Sequence, residues 1–352
     1  MKRLPIKDIK IKLFCLSLMH FATDALCAYL VFAKLYPQDG SRAFLVFLAY
    51  NILAFVSQAP IGILIDRHGN PCGLFVLCSA AILLGYLFSR WWFISVLFLG
   101  LGNALFHVAG GKYVTVKSGN NVSQLGIFVS TGAVGLAIGR RLSSHITLAF
   151  FLFALLFGAT LFLLFTADPE NKPYRAEYRE EKSGTAALLA VSAVVLVRAF
   201  VGNTVLADFT MTQAMLWVLP LATALGKAVG GIAARHFGAL PSAVVSMSTA
   251  ALCLTLGCAH PVLYALGIFA FNFSMPITLF YANLLCRGKE GFAFGTLAAV
   301  LVPGYLLALP LPYTPGTKIL TAALCLATLL VIVIIEKRIQ YADTSAFSDR
   351  LD

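Results

Sequence analysis

GILIDRHGNP, at residues 62–71, returns in altered form as GGIAARHFGALP at residues 230–241. Gly62 falls on Gly230, Arg67 on Arg235, His68 on His236 and, after one inserted residue, Gly69 on Gly238. An offset of 169 carries the match outward: Asn103 onto Asn272, Gly119 onto Gly288, Gly126 onto Gly295 and Gly135 onto Gly304. One such glycine pair would be coincidence in a chain with 28 glycines, but a run in register points to a duplicated unit.

The material between these landmarks is apolar. Of 352 residues 60% are hydrophobic and 12% are charged, and mean hydropathy is +0.88. A soluble domain carries about 25% charged residues. Stretches of about 18 or more apolar residues recur along the chain, the pattern of a polytopic all-α membrane protein. Charged, Gly, Pro and Asn breaks predict twelve spans, at 12–34, 42–65, 72–89, 92–116, 122–141, 145–167, 184–208, 212–234, 239–258, 261–285, 291–311 and 316–336. The one long hydrophilic segment, DPENKPYRAEYREEKSG at 168–184, falls at the centre. The predicted organisation is a six-helix bundle over 1–167, a linker over 168–183, a second six-helix bundle over 184–337 and a tail over 338–352.

The charges orient these spans. Seventeen Lys and Arg residues fall on the side of the termini and six on the other, and such an excess marks the cytoplasmic face. Both termini and the linker are therefore expected in the cytoplasm, with the chain in the inner (cytoplasmic) cell membrane as a monomer. The net charge of +11 is then a topology signal, and no nucleic-acid partner is implied. MKRLPIKDIKIK leads into the first span without a small-residue cleavage site, so that span is expected to be retained. The eight cysteines show no CxxC or other metal spacing, and no metal or cofactor is expected.

The first span raises the functional question. SLMHFATDALCAYL, residues 17–30, sets Ser17, His20, Asp24 and Cys27 at helical spacing on one stripe. At about 1.5 Å per residue Asp24 lies near the bilayer midplane. Ionisable groups there are costly, and the default reading is that they border a polar path. His20 and Asp24, with His107 of the fourth span, are the candidate proton carriers; a static buried pair locking the first span to its neighbours is the alternative. Asn103 and Lys112 share the fourth span, although Lys112 is close enough to the terminal side to extend to the headgroups. The second half supplies Arg198, Asn203, Lys227, Asn272 and Tyr281. Aligning FATDA (21–25) with FVGNT (200–204) sets Asn203 opposite Asp24. Asp24 is the one deep carboxylate against Arg198, Lys227 and Lys112, and surplus buried positive charge favours an anionic ligand. A pairing of Arg198 with Asp24 across the halves would reduce that surplus. The glycines of the fifth span (Gly126, Gly132, Gly135, Gly139) read as close packing at the interface of the halves.

GILIDRHGN resembles the G-x-x-x-D-R-x-G-R motif of the major facilitator superfamily, with Gly62, Asp66, Arg67 and Gly69 in place and Asn70 for the usual basic residue. Three further stretches are similar to motifs of its fosmidomycin-resistance antiporter group: HFATD (20–24), NALFHVAGG (103–111) and STGAVGLAIGR (130–140). Val108, Ala109 and Arg140 depart from that group's pattern. The resemblance implies two pseudo-symmetric six-helix bundles around a midplane site. It implies secondary active transport by alternating access, with Gly62, Asp66, Arg67 and Gly69 as a conformational latch. The expected activity is proton-coupled antiport of a small organic anion or drug; uptake by symport is the alternative within the same class. An intramembrane enzyme built on His20, Asp24 and His107, with or without a metal, is a different class, but no HExxH, GxSxG or carboxylate cluster accompanies it. A sensor that binds without transport is the third.

Overall fold

The computed structural model describes residues 9–36, 42–68, 71–166, 182–205, 207–311 and 314–348. Most of the expected linker, 168–181, and Gly69 lie outside them. The described residues are helical almost throughout. Ten helical stretches are long and apolar enough to cross a membrane and two more are shorter. In chain order they are span 1 (Ile9–Leu35), span 2 (Ala43–Arg67), span 3 (Gly73–Leu87), span 4 (Trp92–Lys117), span 5 (Val122–Arg141) and span 6 (Ile146–Phe165). Span 7 (Ala186–Thr204), span 8 (Gln213–Phe237), span 9 (Ala239–Thr255), span 10 (Pro261–Leu285), span 11 (Glu290–Ala308) and span 12 (Pro315–Gln340) follow. The last helix continues to Ser348, so part of the segment expected as a tail is helical.

Local chemistry sets where these helices start and bend. The Asn121 side chain caps span 5 by accepting from the Ser123 N–H at 3.0 Å, and Thr212 caps span 8 by accepting from Met215 N–H at 3.2 Å. Prolines follow three of the irregular turns, because each lacks an N–H and its ring collides with the carbonyl four residues back, although Pro220 lies inside the continuous helix of span 8. The π-helical turn Ile52–Val56 precedes Pro60, the break at Asn272–Phe273 precedes Pro276, and the break at Val300 precedes Pro303.

Spans 1, 5 and 6 pack together in the first half, and spans 9, 10 and 12 in the second. Spans 5 and 8, and spans 2 and 11, pack across the halves. Glycine registers make this arrangement pseudo-symmetric. A Cβ on Gly126 would collide with the carbonyl of Lys227, and one on Gly295 with the carbonyl of Gln58. Gly231 likewise abuts the Val122 carbonyl as Gly62 abuts that of Gly291. Each pair is related by the offset of 169, so Gly231, and not Gly230, stands where Gly62 does. Gly119 and Gly288 complete the correspondence with left-handed backbone, φ 62° and 83°, at the ends of spans 4 and 10.

The same logic corrects two expectations. Of the span 5 glycines, Gly126 faces the other half, whereas Gly132, Gly135 and Gly139 pack on span 1 of their own half. Gly135 meets the Phe21 carbonyl as Gly304 meets that of Leu196. Leu196 therefore corresponds to Phe21 and, in that register, Ala199 and not Asn203 corresponds to Asp24.

Candidate functional site

Span 5 makes the site possible by having no side chain at Gly132. A Cβ there would overlap His20 Nε2 and Asp24 Oδ2 of span 1. His20 sits in that gap, 3% exposed, with its ring against Phe106 and Phe128 at centroid distances of 5.5 and 4.6 Å. Its Nδ1–H donates to the Phe128 carbonyl at 2.8 Å. From span 4, His107 donates its own Nδ1–H to the Asn103 carbonyl at 2.9 Å, one helical turn back. A carbonyl only accepts, so both rings carry hydrogen on Nδ1 and turn Nε2 inward. The two Nε2 atoms lie 3.0 Å apart. Asp24 closes the triangle, Oδ2 at 3.4 Å from His20 Nε2 and Oδ1 at 3.5 Å from His107 Nε2. Asn103 donates from Nδ2 to Asp24 Oδ1 at 3.1 Å.

This geometry has a chemical consequence. Two bare Nε2 lone pairs at 3.0 Å repel, so the contact calls for a positive centre between them, and the Asp24 carboxylate stands beside it to balance the charge. Asp24 and His107 keep 17% and 13% of their side-chain surface exposed, so the triad is deep without being sealed. The other stripe members point into the first half's packing: Ser17 Oγ is buried with no hydrogen-bond partner among the described residues, and Cys27 Sγ faces the Leu99 carbonyl at 3.9 Å.

The second half presents cations. Lys227 of span 8 interacts electrostatically with both Arg198 of span 7 and Asp24. Arg198 has a buried Nη1 with no hydrogen-bond partner, and neither residue forms an ion pair within 4 Å among the described residues. An Arg198–Asp24 pair is therefore not what this structure contains.

The other expected positions are distributed elsewhere. Asn203 is exposed and donates to the Ala199 carbonyl at 2.7 Å, in its own helix. Asn272 lies at the break in span 10, donates to the Ile268 carbonyl at 2.8 Å and packs against Gly226 of span 8. Tyr281 is buried away from the triad; its Oη donates to Glu336 of span 12 at 2.6 Å.

Lys112 belongs to a second cluster, at the end of the protein that carries the termini. Its Nζ pairs with Asp66 Oδ1 at 2.9 Å and donates to the Ile65 carbonyl at 3.3 Å. Asp66 in turn accepts the backbone N–H of Gly291 at 2.9 Å and of Phe292 at 2.8 Å, the first turn of span 11 in the opposite half. A carboxylate on the free N–H groups of a helix start is favoured by hydrogen bonding and by the helix dipole together. Gly62 allows this approach; Arg67 is exposed beside it. At the same end Asn283 donates to Thr115 Oγ1 at 3.2 Å and Asn120 donates to the Phe280 carbonyl at 3.2 Å, tying span 4 and its exit to span 10. The halves are thus closed against each other on this side. Sequence reasoning missed Gly291, Phe292 and Glu336 as partners, and took Gly132 for packing alone.

No family model and no curated protein matches the sequence. Solved structures do match in shape. The fucose:proton symporter FucP of E. coli superposes with a TM-score of 0.67 at 16% identity, over 93% of this chain and 98% of that one. The human organic anion transporter MFSD10 gives 0.68 at 13% identity, over 94% and 100%. A bacterial homologue of the iron transporter ferroportin, in an outward-facing state, gives 0.58 at 16% identity, over 94% and 99%. FucP is a major facilitator superfamily transporter. The chain has the major facilitator fold.

Proposed function

We propose that this protein is a secondary active transporter working by alternating access: the halves 1–167 and 184–337, joined by the 168–183 linker, rock about the deep charged groups. The observation that carries the reading is the cluster of Asp24, His20 and His107 in one half, with Lys227 of the other half near enough to interact electrostatically with Asp24 and Arg198. Charges this deep are costly unless they serve a polar path, and the two cations, without an ion pair among the described residues, suit an anionic substrate. Arg198 and Lys227 are the principal anion contacts, with Asn103 and Asn272 at the margin. Asn203, Tyr281 and Lys112, expected at the same site, are bonded elsewhere and leave the proposed contact set.

The His20–His107 contact carries the proton side of the cycle. A hydrogen between the Nε2 atoms satisfies both rings, with Asp24 beside it, and rocking of the halves changes which side of the membrane reaches it. Asp66, with Gly62, Lys112 and the start of span 11, is the latch that holds the terminal side shut. We place the chain in the inner membrane with that side cytoplasmic, as the Lys and Arg bias indicates, and read the coupling as antiport that exports an organic anion. Uptake by symport is the alternative, since a fucose:proton symporter shares the fold.

The test is flux into proteoliposomes under an imposed pH gradient, with labelled fosmidomycin as a phosphonate probe beside a panel of carboxylates and phosphate esters. Asp24→Asn is expected to abolish pH-driven flux while the purified variant keeps its melting temperature. Undiminished flux in that variant removes the proton assignment, and the gradient direction that drives accumulation distinguishes antiport from symport.

A further inference from the structure

We propose that His20, Asp24 and His107 form a binding site for a first-row divalent transition-metal ion of the zinc class. The sequence offers no metal-ligand spacing, because the two histidines are on different spans and converge only in the fold.

Three observations carry the proposal. First, the ligand atoms are spaced as a metal would space them. Donors about 2.0–2.2 Å from an ion at tetrahedral angles lie about 3.3–3.6 Å from one another. Here Asp24 Oδ2 lies 3.4 Å from His20 Nε2 and Oδ1 3.5 Å from His107 Nε2, within that range, while the two Nε2 atoms, 3.0 Å apart, move outward by about 0.3 Å to take an ion. The three residues form one group with ligand atoms mutually within 4.8 Å. Second, each ligand is already oriented by an outer partner. Both Nδ1–H groups are committed to backbone carbonyls, Phe128 and Asn103, which turns each Nε2 lone pair inward. Asn103 Nδ2 steadies the carboxylate at 3.1 Å. That is the outer-shell pattern of histidine–carboxylate metal centres. Third, Gly132 removes the Cβ that would otherwise overlap His20 Nε2 and Asp24 Oδ2, keeping the point of convergence clear.

Two imidazoles and one carboxylate leave at least one coordination position, as open metal sites do. It lies on the side where Asp24 and His107 retain exposed surface. Lys227 interacts electrostatically with Asp24 and His107 from the other half and opposes a bare dication, so an anionic oxygen is the fitting fourth ligand, its charge offsetting the excess. Coordination takes the place of the hydrogen between the Nε2 atoms, and each ion bound releases that proton to solvent. Proton and metal are thus mutually exclusive occupants of one position. The proposal goes beyond the transport reading and stands without it.

The experiment uses tag-free purified protein in detergent, titrated calorimetrically with zinc acetate and followed by visible absorption with cobalt acetate. One ion per chain is expected, with the cobalt spectrum of a four-coordinate site, and no binding of Mg²⁺. His107→Gln and Asp24→Asn are each expected to lower zinc affinity at least tenfold, and Asn103→Ala by about 10–100-fold. Should those variants fail to fold, X-ray absorption of the zinc-loaded wild type reads the ligands directly, and two imidazoles with oxygen donors are expected. Absence of stoichiometric binding, equal affinity in the folded variants, or an absorption spectrum without imidazole overturns the proposal. Binding is read in solution and not by flux, so a protein that fails to transport leaves this result independent.

Discussion

Arg198 shows what a single deep side chain can leave unsatisfied. Its guanidinium is deep, its Nη1 is buried, and nothing among the described residues accepts from that nitrogen. A hydrogen bond to a charged group contributes about 1.5–3 kcal/mol. Arg198→Gln is therefore expected to weaken binding of an anionic probe by about tenfold to a hundredfold, read as the midpoint shift in a ligand-stabilisation titration. Binding unchanged in a folded Arg198→Gln variant would remove this residue from the substrate path. Part of this was legible in the sequence. An ionisable residue in a transmembrane segment announces itself, and His20, Asp24, His107, Arg198 and Lys227 were all identifiable by depth. Their partners were not. Lys112 was counted with the deep cations, yet it meets Asp66 across a span boundary. Tyr281 was counted as a ligand donor, yet it meets Glu336 55 residues downstream. Helical periodicity fixes the face on which a residue lies and says nothing of the helix that will cover that face.

The elements are held in register by missing side chains. Gly295 of span 11 lies on the Gln58 carbonyl of span 2, and a backbone atom cannot move aside as a flexible side chain would. Overpacking such a contact costs about 1–3 kcal/mol. Gly295→Val should lower the melting temperature and reduce transport, whereas Gly158→Val, at a site with nothing within 4 Å of an added Cβ, should leave both unchanged. A Gly295 variant with wild-type stability and flux would contradict the packing of spans 2 and 11. The break in span 10 at Asn272 and that in span 11 at Val300 belong to the same scale. Each sits just ahead of a proline, Pro276 and Pro303, and both lie in helices that reach the opposite half. Discontinuous helices expose backbone groups at depth, which is tolerated where neighbouring helices or a polar path satisfy them.

At the scale of the whole molecule the two halves meet most firmly at the end that carries the termini. Asp66 joins them through two backbone N–H groups of span 11, and Lys112 neutralises it. Asp66→Asn keeps the shape and removes the charge, so the closed arrangement should lose part of its advantage. In a background without native cysteines, a pair at Thr115 and Asn283, now bonded at 3.2 Å, reports closure through a short bifunctional cross-linker. Asp66→Asn should lower the cross-linked fraction, and an unchanged yield would deny Asp66 its role as a latch.

What the sequence alone determined is the set of elements and their duplication. Hydrocarbon admits only segments whose backbones are satisfied, in helices or closed barrels, and apolar runs of about 18 residues or more fit the helix, so composition and length locate the spans with little interference from tertiary contacts. The offset of 169 followed because close helix approach demands glycine at equivalent places in both halves. The tertiary structure alone decided which residues meet. His20 and His107 lie 87 positions apart, and Asp66 lies 225 before Gly291. Those encounters depend on how twelve cylinders rotate and stack, a matter of side-chain shape summed over every interface, and no local pattern encodes it.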